Sequence, residues 1–231
     1  MAPERALAIV QARTGSTRFP GKVLAPFAGT TVLGHMLDRL RRTASPLDLV
    51  VATTDLAQDD AVAQACAEAG VSVFRGASDD VLGRFVACVR SLPVRADLVL
   101  RICADRPLLC PQLVDELLSA YAELDAPDYL ANNLPPSYPD GLDLELVRAE
   151  CLEQAAEESV DPYEREHVTP FVYRRPQRFR LEKLTCPYGN FSDVRVALDT
   201  REDHERLVRL HSLLPDDYDH RDVITAVELA R

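Results

Sequence analysis

Leu7-Ala-Ile-Val-Gln-Ala12 runs directly into Arg13-Thr-Gly-Ser-Thr-Arg-Phe-Pro-Gly-Lys22. The first six residues are an apolar run with the length of a buried strand. The next ten hold Gly15, Pro20 and Gly21, which mark a loop. Two arginines, a lysine and three hydroxyl residues crowd into that loop. Glycines let a backbone bring its N–H groups close to an anion, and Arg and Lys offset polyphosphate charge. The spacing is not that of a P-loop: five residues separate Gly15 from Gly21, and Val23 follows the lysine. A solvated basic loop would carry the same residues.

Working outward, Thr31 to Arg42 has apolar residues at helical spacing, and Leu47 to Thr53 is a second β-rich run. Gln58 to Ala69 reads as a helix ended by Gly70, and Val71 to Phe74 as a short strand. Asp79 to Ser91 is helical, Asp97 to Cys103 is a fourth strand, and Pro111 to Tyr121 is a helix opened by proline. Alternation of this kind predicts a mainly parallel, Rossmann-like sheet with helices on both faces. Ligands then bind at the carboxyl ends of the strands, which singles out 13–22, 53–58, 75–80 and 103–107. The second half is less regular. Strands are expected at 128–132, at 142–147 as part of a smaller accessory sheet, at 179–184 and at 194–198. Helices are expected at 148–158, 162–173 and 201–213. No linker divides the chain, so residues 1–231 read as one domain.

The charge balance narrows the partners. A formal net charge of −11 argues against nucleic acid and anionic membranes. No apolar run approaches the roughly 20 residues of a membrane span. The stretch from Met1 to Arg13 is too polar for a signal peptide, so a cytoplasmic protein is expected. The six cysteines, at 66, 88, 103, 110, 151 and 186, lack metal-ligand spacing and read as buried small hydrophobes. Lysine occurs only at Lys22 and Lys183 against 24 arginines. A lysine kept against that bias points to a need for a compact ammonium.

Further along, Asp105 follows an apolar strand, where a carboxylate suits Mg²⁺ or caps a turn. Asp199 also ends an apolar run, and could bind metal with Asp105 or cap the helix after it. Asp143 and Glu145 have period-two spacing and would share a strand face, against an acceptor or as a solvated edge. Tyr163-Glu-Arg-Glu-His167 sets a histidine among charges, for an anionic acceptor or a structural role.

Taken together, these strings resemble the spore-coat-polysaccharide-type cytidylyltransferases, relatives of the acylneuraminate and 3-deoxy-manno-octulosonate cytidylyltransferases. The resemblance rests on Val10 to Leu24, Val50-Val-Ala-Thr-Thr54, Phe74-Arg-Gly with Asp79-Asp-Val-Leu82, Asp105-Arg-Pro-Leu108, Tyr138-Pro-Asp-Gly-Leu-Asp143, Glu164 to Pro170 and the Asp199 region. It implies a glycosyltransferase-A-type sheet and a homodimer, with 133–185 serving acceptor binding and dimerisation. It implies transfer of CMP from CTP to a small anionic or sugar-like acceptor, a sugar acid or a phosphonate or phosphate, with release of pyrophosphate. By the same resemblance Ala12, Arg13, Gly15, Ser16, Arg18 and Lys22 hold CTP, with Arg13, Lys22 and Asp105 catalytic. Ala52, Thr53, Arg75 and Asp80 lie around cytosine and ribose. Asp105 and Asp199 bind Mg²⁺. Tyr138, Asp140, Asp143, Arg165, Glu166 and His167 meet the acceptor, and Arg106, by its own charge beside the metal, is expected to meet an anionic acceptor too. Two departures stand out: Arg106 replaces a usual cysteine, and Thr200-Arg201 replaces an aromatic-proline pair. Use of another nucleotide with a sugar phosphate, or a non-catalytic nucleotide- or sugar-binding module, remain the alternatives.

Overall fold

A computed structural model describes residues 5–229; Met1 to Glu4, part of the amino-terminal stretch read above, lie outside the described residues. The chain begins with β1 (Ala6–Gln11), a short hairpin of β2 (Pro26–Phe27) and β3 (Thr30–Thr31), and α1 (Val32–Leu40). It continues through β4 (Asp48–Thr54), α2 (Asp60–Glu68), β5 (Ser72–Gly76), α3 (Val81–Ser91), β6 (Leu98–Cys103) and α4 (Pro111–Glu123). The second half adds β7 (Tyr129–Ala131), β8 (Glu145–Arg148), α5 (Ala149–Glu158), α6 (Pro162–His167), α7 (Pro170–Tyr173), β9 (Leu181–Lys183), α8 (Arg201–His211) and α9 (His220–Leu229).

Seven strands form one sheet in the order β5-β4-β1-β6-β8-β7-β9. β5, β4, β1 and β6 pair in parallel, and β8 alone runs antiparallel to its neighbours. β1 is buried on both faces, which is why it reads as a continuous apolar run. Ala8 and Val10 pack with α1, α4 and α8, whereas Leu7 and Ile9 pack with α3 and α5. From β1 the chain winds outward to β4 and β5, then returns to β6 on the other side of β1. The loops after β1 and β6 therefore part at a topological switch point, where such sheets bind ligands.

Four expectations need correction. The 142–147 strand belongs to the main sheet, as β8 between β6 and β7, and the small sheet is instead the β2–β3 hairpin. The segment 194–198 is not a regular strand; one bridge, Asp140 to Arg195, holds it. The helix at 162–173 is two helices, broken where Val168 takes φ 74°. Helix α9 was not anticipated at all; Val223, Ile224 and Ala226 carry it into the core.

The Asp140 bridge depends on Gly141, whose φ is +117°. A Cβ there would lie 2.5 Å from the Val196 carbonyl carbon and 2.6 Å from the Ala197 nitrogen. Backbone cannot give way as a side chain can. Gly141→Ala is therefore expected to destabilise the protein by about 2–4 kcal/mol in urea titrations. A loss below about 0.5 kcal/mol would show that the 194–198 segment can shift freely.

Candidate active site

The loop after β1 is built around Thr14 and Gly21. Thr14 accepts N–H bonds from Ser16 at 2.8 Å and Gly21 at 2.9 Å. Gly21 takes φ 72°, a left-handed turn that glycine adopts without cost, and starts the short 3₁₀ turn Lys22–Leu24. Thr14 in turn donates its N–H and its hydroxyl to Asp59, both at 2.7 Å. Asp59 is fully buried. Burial pushes its carboxyl up, but the bonds from Thr14 and Thr54 outweigh this and hold it below the ordinary value. Sequence reading missed Asp59, which fell just beyond the expected strand-end loop 53–58, at the start of the expected helix 58–69.

The 3₁₀ turn aims Lys22 inward. Its ammonium donates to Asp105 at 2.8 Å, to Asp199 at 3.0 Å and to the Leu198 carbonyl at 2.7 Å. The two carboxylates therefore converge on one cation. Around them runs a closed ring of alternating charge. Asp199 pairs with Arg195 at 2.5 Å, Arg195 with Asp140 at 3.2 Å, Asp140 with Arg106 at 2.6 Å, and Arg106 with Asp105 at 3.6 Å. Arg106 also holds Asp143 at 2.9 Å, and Arg18 reaches Asp199 at 3.0 Å. Burial pushes the Asp199 carboxyl up, but the Lys22 bond and the charges of Lys22, Arg18 and Arg195 bring it below the usual range. Burial wins at Asp143, whose carboxyl stays raised despite Arg106. Asp203 orients the far side of the ring: it takes the Asp199 and Thr200 N–H bonds, each at 3.0 Å, and holds Arg195 at 3.0 Å.

The ring opens onto a cleft of about 270 Å³ lined by Gln11, Arg13, Ser16, Arg18, Lys22, Cys103, Asp105 and Asp199, among others. Gly15 also lines it, with room for a Cβ blocked by Gln58 at 2.9 Å. Arg13 is exposed and, among the described residues, makes no hydrogen bond or ion pair. One carboxylate oxygen of Asp105 is buried without a hydrogen-bond partner. No three His, Cys, Asp or Glu side chains among the described residues form a metal cage.

Other expected residues disperse. Ala12 donates its buried N–H to Ala52 at 3.2 Å, so both serve as strand backbone. Thr53 is buried in β4. Arg75 turns away, to Thr54 and Leu56 carbonyls and Asp60 at 2.6 Å. Asp80 caps α3 through Gly83 at 2.9 Å and pairs with Arg165, so two residues expected at different ligands hold each other. Tyr138 is buried edge-on to His220, away from the cleft. Glu166 is exposed. His167 lies in a second pocket of about 140 Å³ with Arg101, Asn133 and Tyr163. Glu145 is neither solvated nor in the cleft: it is buried against Arg101, and accepts from Tyr129 and Thr169, each at 2.6 Å.

A cytidylyltransferase family model matches residues 7–228. This chain belongs to the cytidylyltransferase family. It is 32% identical over 212 residues to the spore coat polysaccharide biosynthesis protein SpsF of Bacillus subtilis, spanning 89% of this chain and 85% of that one. A cytidylyltransferase structure from Leptospira borgpetersenii superposes with a TM-score of 0.92 at 30% identity, covering 98% of this chain and 95% of the other. The structure of CMP:2-keto-3-deoxy-manno-octonic acid synthetase complexed with CTP shares the fold, with a TM-score of 0.66 at 18% identity over 90% of this chain and 99% of that one.

The pairing makes a stability claim. Because Asp199 is held below its ordinary value, it stabilises the fold above about pH 4 and loses that effect as pH falls through its depressed value. Lys22→Met removes the shared cation and leaves two carboxylates facing each other. Its Tm should fall at pH 7, and the gap to wild type should narrow below about pH 4 as the carboxylates protonate. A gap independent of pH would contradict the ion-pair reading.

Proposed function

We propose that this cytidylyltransferase moves CMP from CTP to a small acidic acceptor, a sugar acid or a phosphonate or phosphate, with release of pyrophosphate and with Mg²⁺ as cofactor. The observation that carries it is the convergence of Lys22, Asp105 and Asp199 at the switch point, beside two exposed arginines. A polyphosphate would lie along the Arg13–Lys22 loop. Arg13, unclaimed by any carboxylate, and Arg18 would take its charge as pyrophosphate leaves. Lys22 would exchange its carboxylate bonds for phosphate oxygens over a short distance.

The donor set fits Mg²⁺, which uses one or two carboxylates and takes its remaining ligands from phosphate and water. The Asp105 oxygen that makes no hydrogen bond and the neighbouring Asp199 would be those carboxylates. When bound, the ion would neutralise oxygens of the α-phosphate and of the leaving group. Arg106, fixed by Asp140 and Asp143, lies beside Asp105 and would orient an anionic acceptor for in-line attack. The region 133–185 supplies those two aspartates and the His167 pocket, which supports its role in acceptor binding. Its exposed Val160 and Tyr163 support a role in a homodimer contact. Six free cysteines suit a cytoplasmic setting, and no described helix is long and apolar enough to cross a membrane.

The reaction is tested by pyrophosphate release from CTP, UTP, GTP and ATP with Mg²⁺, against a panel of sugar acids, phosphosugars and phosphonates. Release is expected with CTP and one acceptor class. Asp105→Asn, which leaves Lys22 paired with Asp199, should lower that rate roughly 10²–10³-fold while its Tm stays close to wild type. Undiminished Mg²⁺-dependent release by this variant would refute the metal assignment.

A further inference from the structure

Arg84 is an unexplained buried cation. It is 1% exposed, its Nε and Nη2 have no hydrogen-bond partner, and its Nη1 donates to the Ala77 carbonyl. Burial lowers its affinity for its proton, and the charge of Arg13 lowers it further. Leaving donors of a buried guanidinium unmatched is costly unless something else accepts from them.

Its position says what that acceptor is. Helix α3 packs Val81, Leu82 and Phe85 against Leu7 and Ile9 of β1. Alternation puts Gln11, two residues beyond Ile9, on that same face. Ala52 of β4 is the register partner of Gln11, and it packs into the same core. At the end of β5, Gly76 lies under Arg84: a Cβ there would be 3.2 Å from the Arg84 Cγ. Along the strand ends, buried Ala52 thus lies between Gln11 on β1 and Gly76 on β5, with the Arg84 stem packed over Gly76. Gln11 lines the phosphate cleft, and its Oε1 is buried and also unpartnered. Arg75, one residue before Gly76, is committed to the opposite face by Thr54, Leu56 and Asp60.

Unmatched donors and an unmatched acceptor therefore share one face beside the triphosphate loop. Cytosine presents acceptors at O2 and N3 and a donor at its 4-amino group. Uracil presents a donor at N3 and an acceptor at O4. We propose that Arg84 donates to O2 and N3 of cytosine while the Gln11 side-chain oxygen accepts from the 4-amino group, so that this pair sets CTP above UTP. Against uracil, O2 still accepts from Arg84, but N3–H turns the second Arg84 contact donor to donor, and O4 faces the Gln11 oxygen unless that amide rotates; a site built for hydrogen bonds disfavours such a mismatch. The assignment rests on the cytidylyltransferase reading and names its base-reading residues.

Calorimetric binding of CTP, UTP and inorganic triphosphate, each with Mg²⁺, tests it on wild type, Arg84→Met and Gln11→Leu. Wild type should prefer CTP to UTP. Arg84→Met should weaken CTP roughly 10- to 100-fold, weaken UTP less because it loses only the O2 contact, leave triphosphate within about twofold, and so narrow the preference. Gln11→Leu should erode the preference by about tenfold, and it decides the matter if Arg84→Met does not fold. Equal binding of CTP and UTP by wild type, or an intact preference in the folded variants, overturns the assignment. Triphosphate binding by wild type without any CTP binding would instead refute the cytidylyltransferase reading itself.

Discussion

One ammonium group ties the architecture together. Lys22, from the loop after β1, meets Asp105 of the loop after β6, and Asp199 and the Leu198 carbonyl of the segment near residue 198. Without that contact the carboxyl edge of the sheet would carry two adjacent carboxylates with only peripheral cations. Buried charge is tolerated only when matched in geometry and number, so the ring through Arg195, Asp140 and Arg106 is a consequence of the central contact. The same matching explains how an acidic chain offers a locally cationic cleft. Most of its negative charge lies elsewhere, and the carboxylates at the cleft are neutralised by Lys22, Arg106 and Arg195 while Arg13 stays unclaimed.

The fold places this ring where a nucleotide can span it. Parallel β5, β4, β1 and β6 end on one edge, and the chain changes direction between β1 and β6. The residues proposed to handle phosphate follow β1, the carboxylate proposed for the metal follows β6, and of the unmatched pair Gln11 ends β1 while Arg84 lies over Gly76 of β5. A nucleotide laid across the strand ends would meet these in the order acceptor, phosphates, base. The antiparallel β8 lies next to β6, and its Glu145 is locked to Arg101, Tyr129 and Thr169. Arg101, Glu145 and Thr169 of that cluster line the pocket at His167.

The first half of the chain was legible because its signals are local. Apolar runs of strand length alternate with amphipathic helices, and Gly15, Pro20 and Gly21 punctuate a loop. The second half was less so, because tertiary context overrode the pattern. Glu145 read as facing either an acceptor or solvent, since a lone sequence does not reveal that Arg101 waits on the next strand. The 194–198 run alternates like a strand, yet its hydrogen bonds go to Asp140 and Asp105 in place of a ladder. Helix α9 carries helical spacing in Val223, Ile224, Ala226 and Val227, a signal that went unread. Among site residues, cations next to glycines were readable by chemistry. Facing was not: Arg75 follows a strand signal and Arg84 lies within a helical one, and only the hydrogen bonds of Arg75 to Thr54, Leu56 and Asp60 show that it is committed away from Arg84. Arg195, an arginine within an apolar run, carried a signal of pairing that went unread.

The most direct measurement is a crystal structure with CTP and Mn²⁺, with the metal located by anomalous scattering. The account predicts a metal peak between Asp105 and Asp199, the triphosphate along Gly15 to Lys22, and Lys22 turned from the carboxylates to phosphate oxygens. A metal bound away from both aspartates, with the Lys22 contacts unchanged and the nucleotide elsewhere, would contradict it.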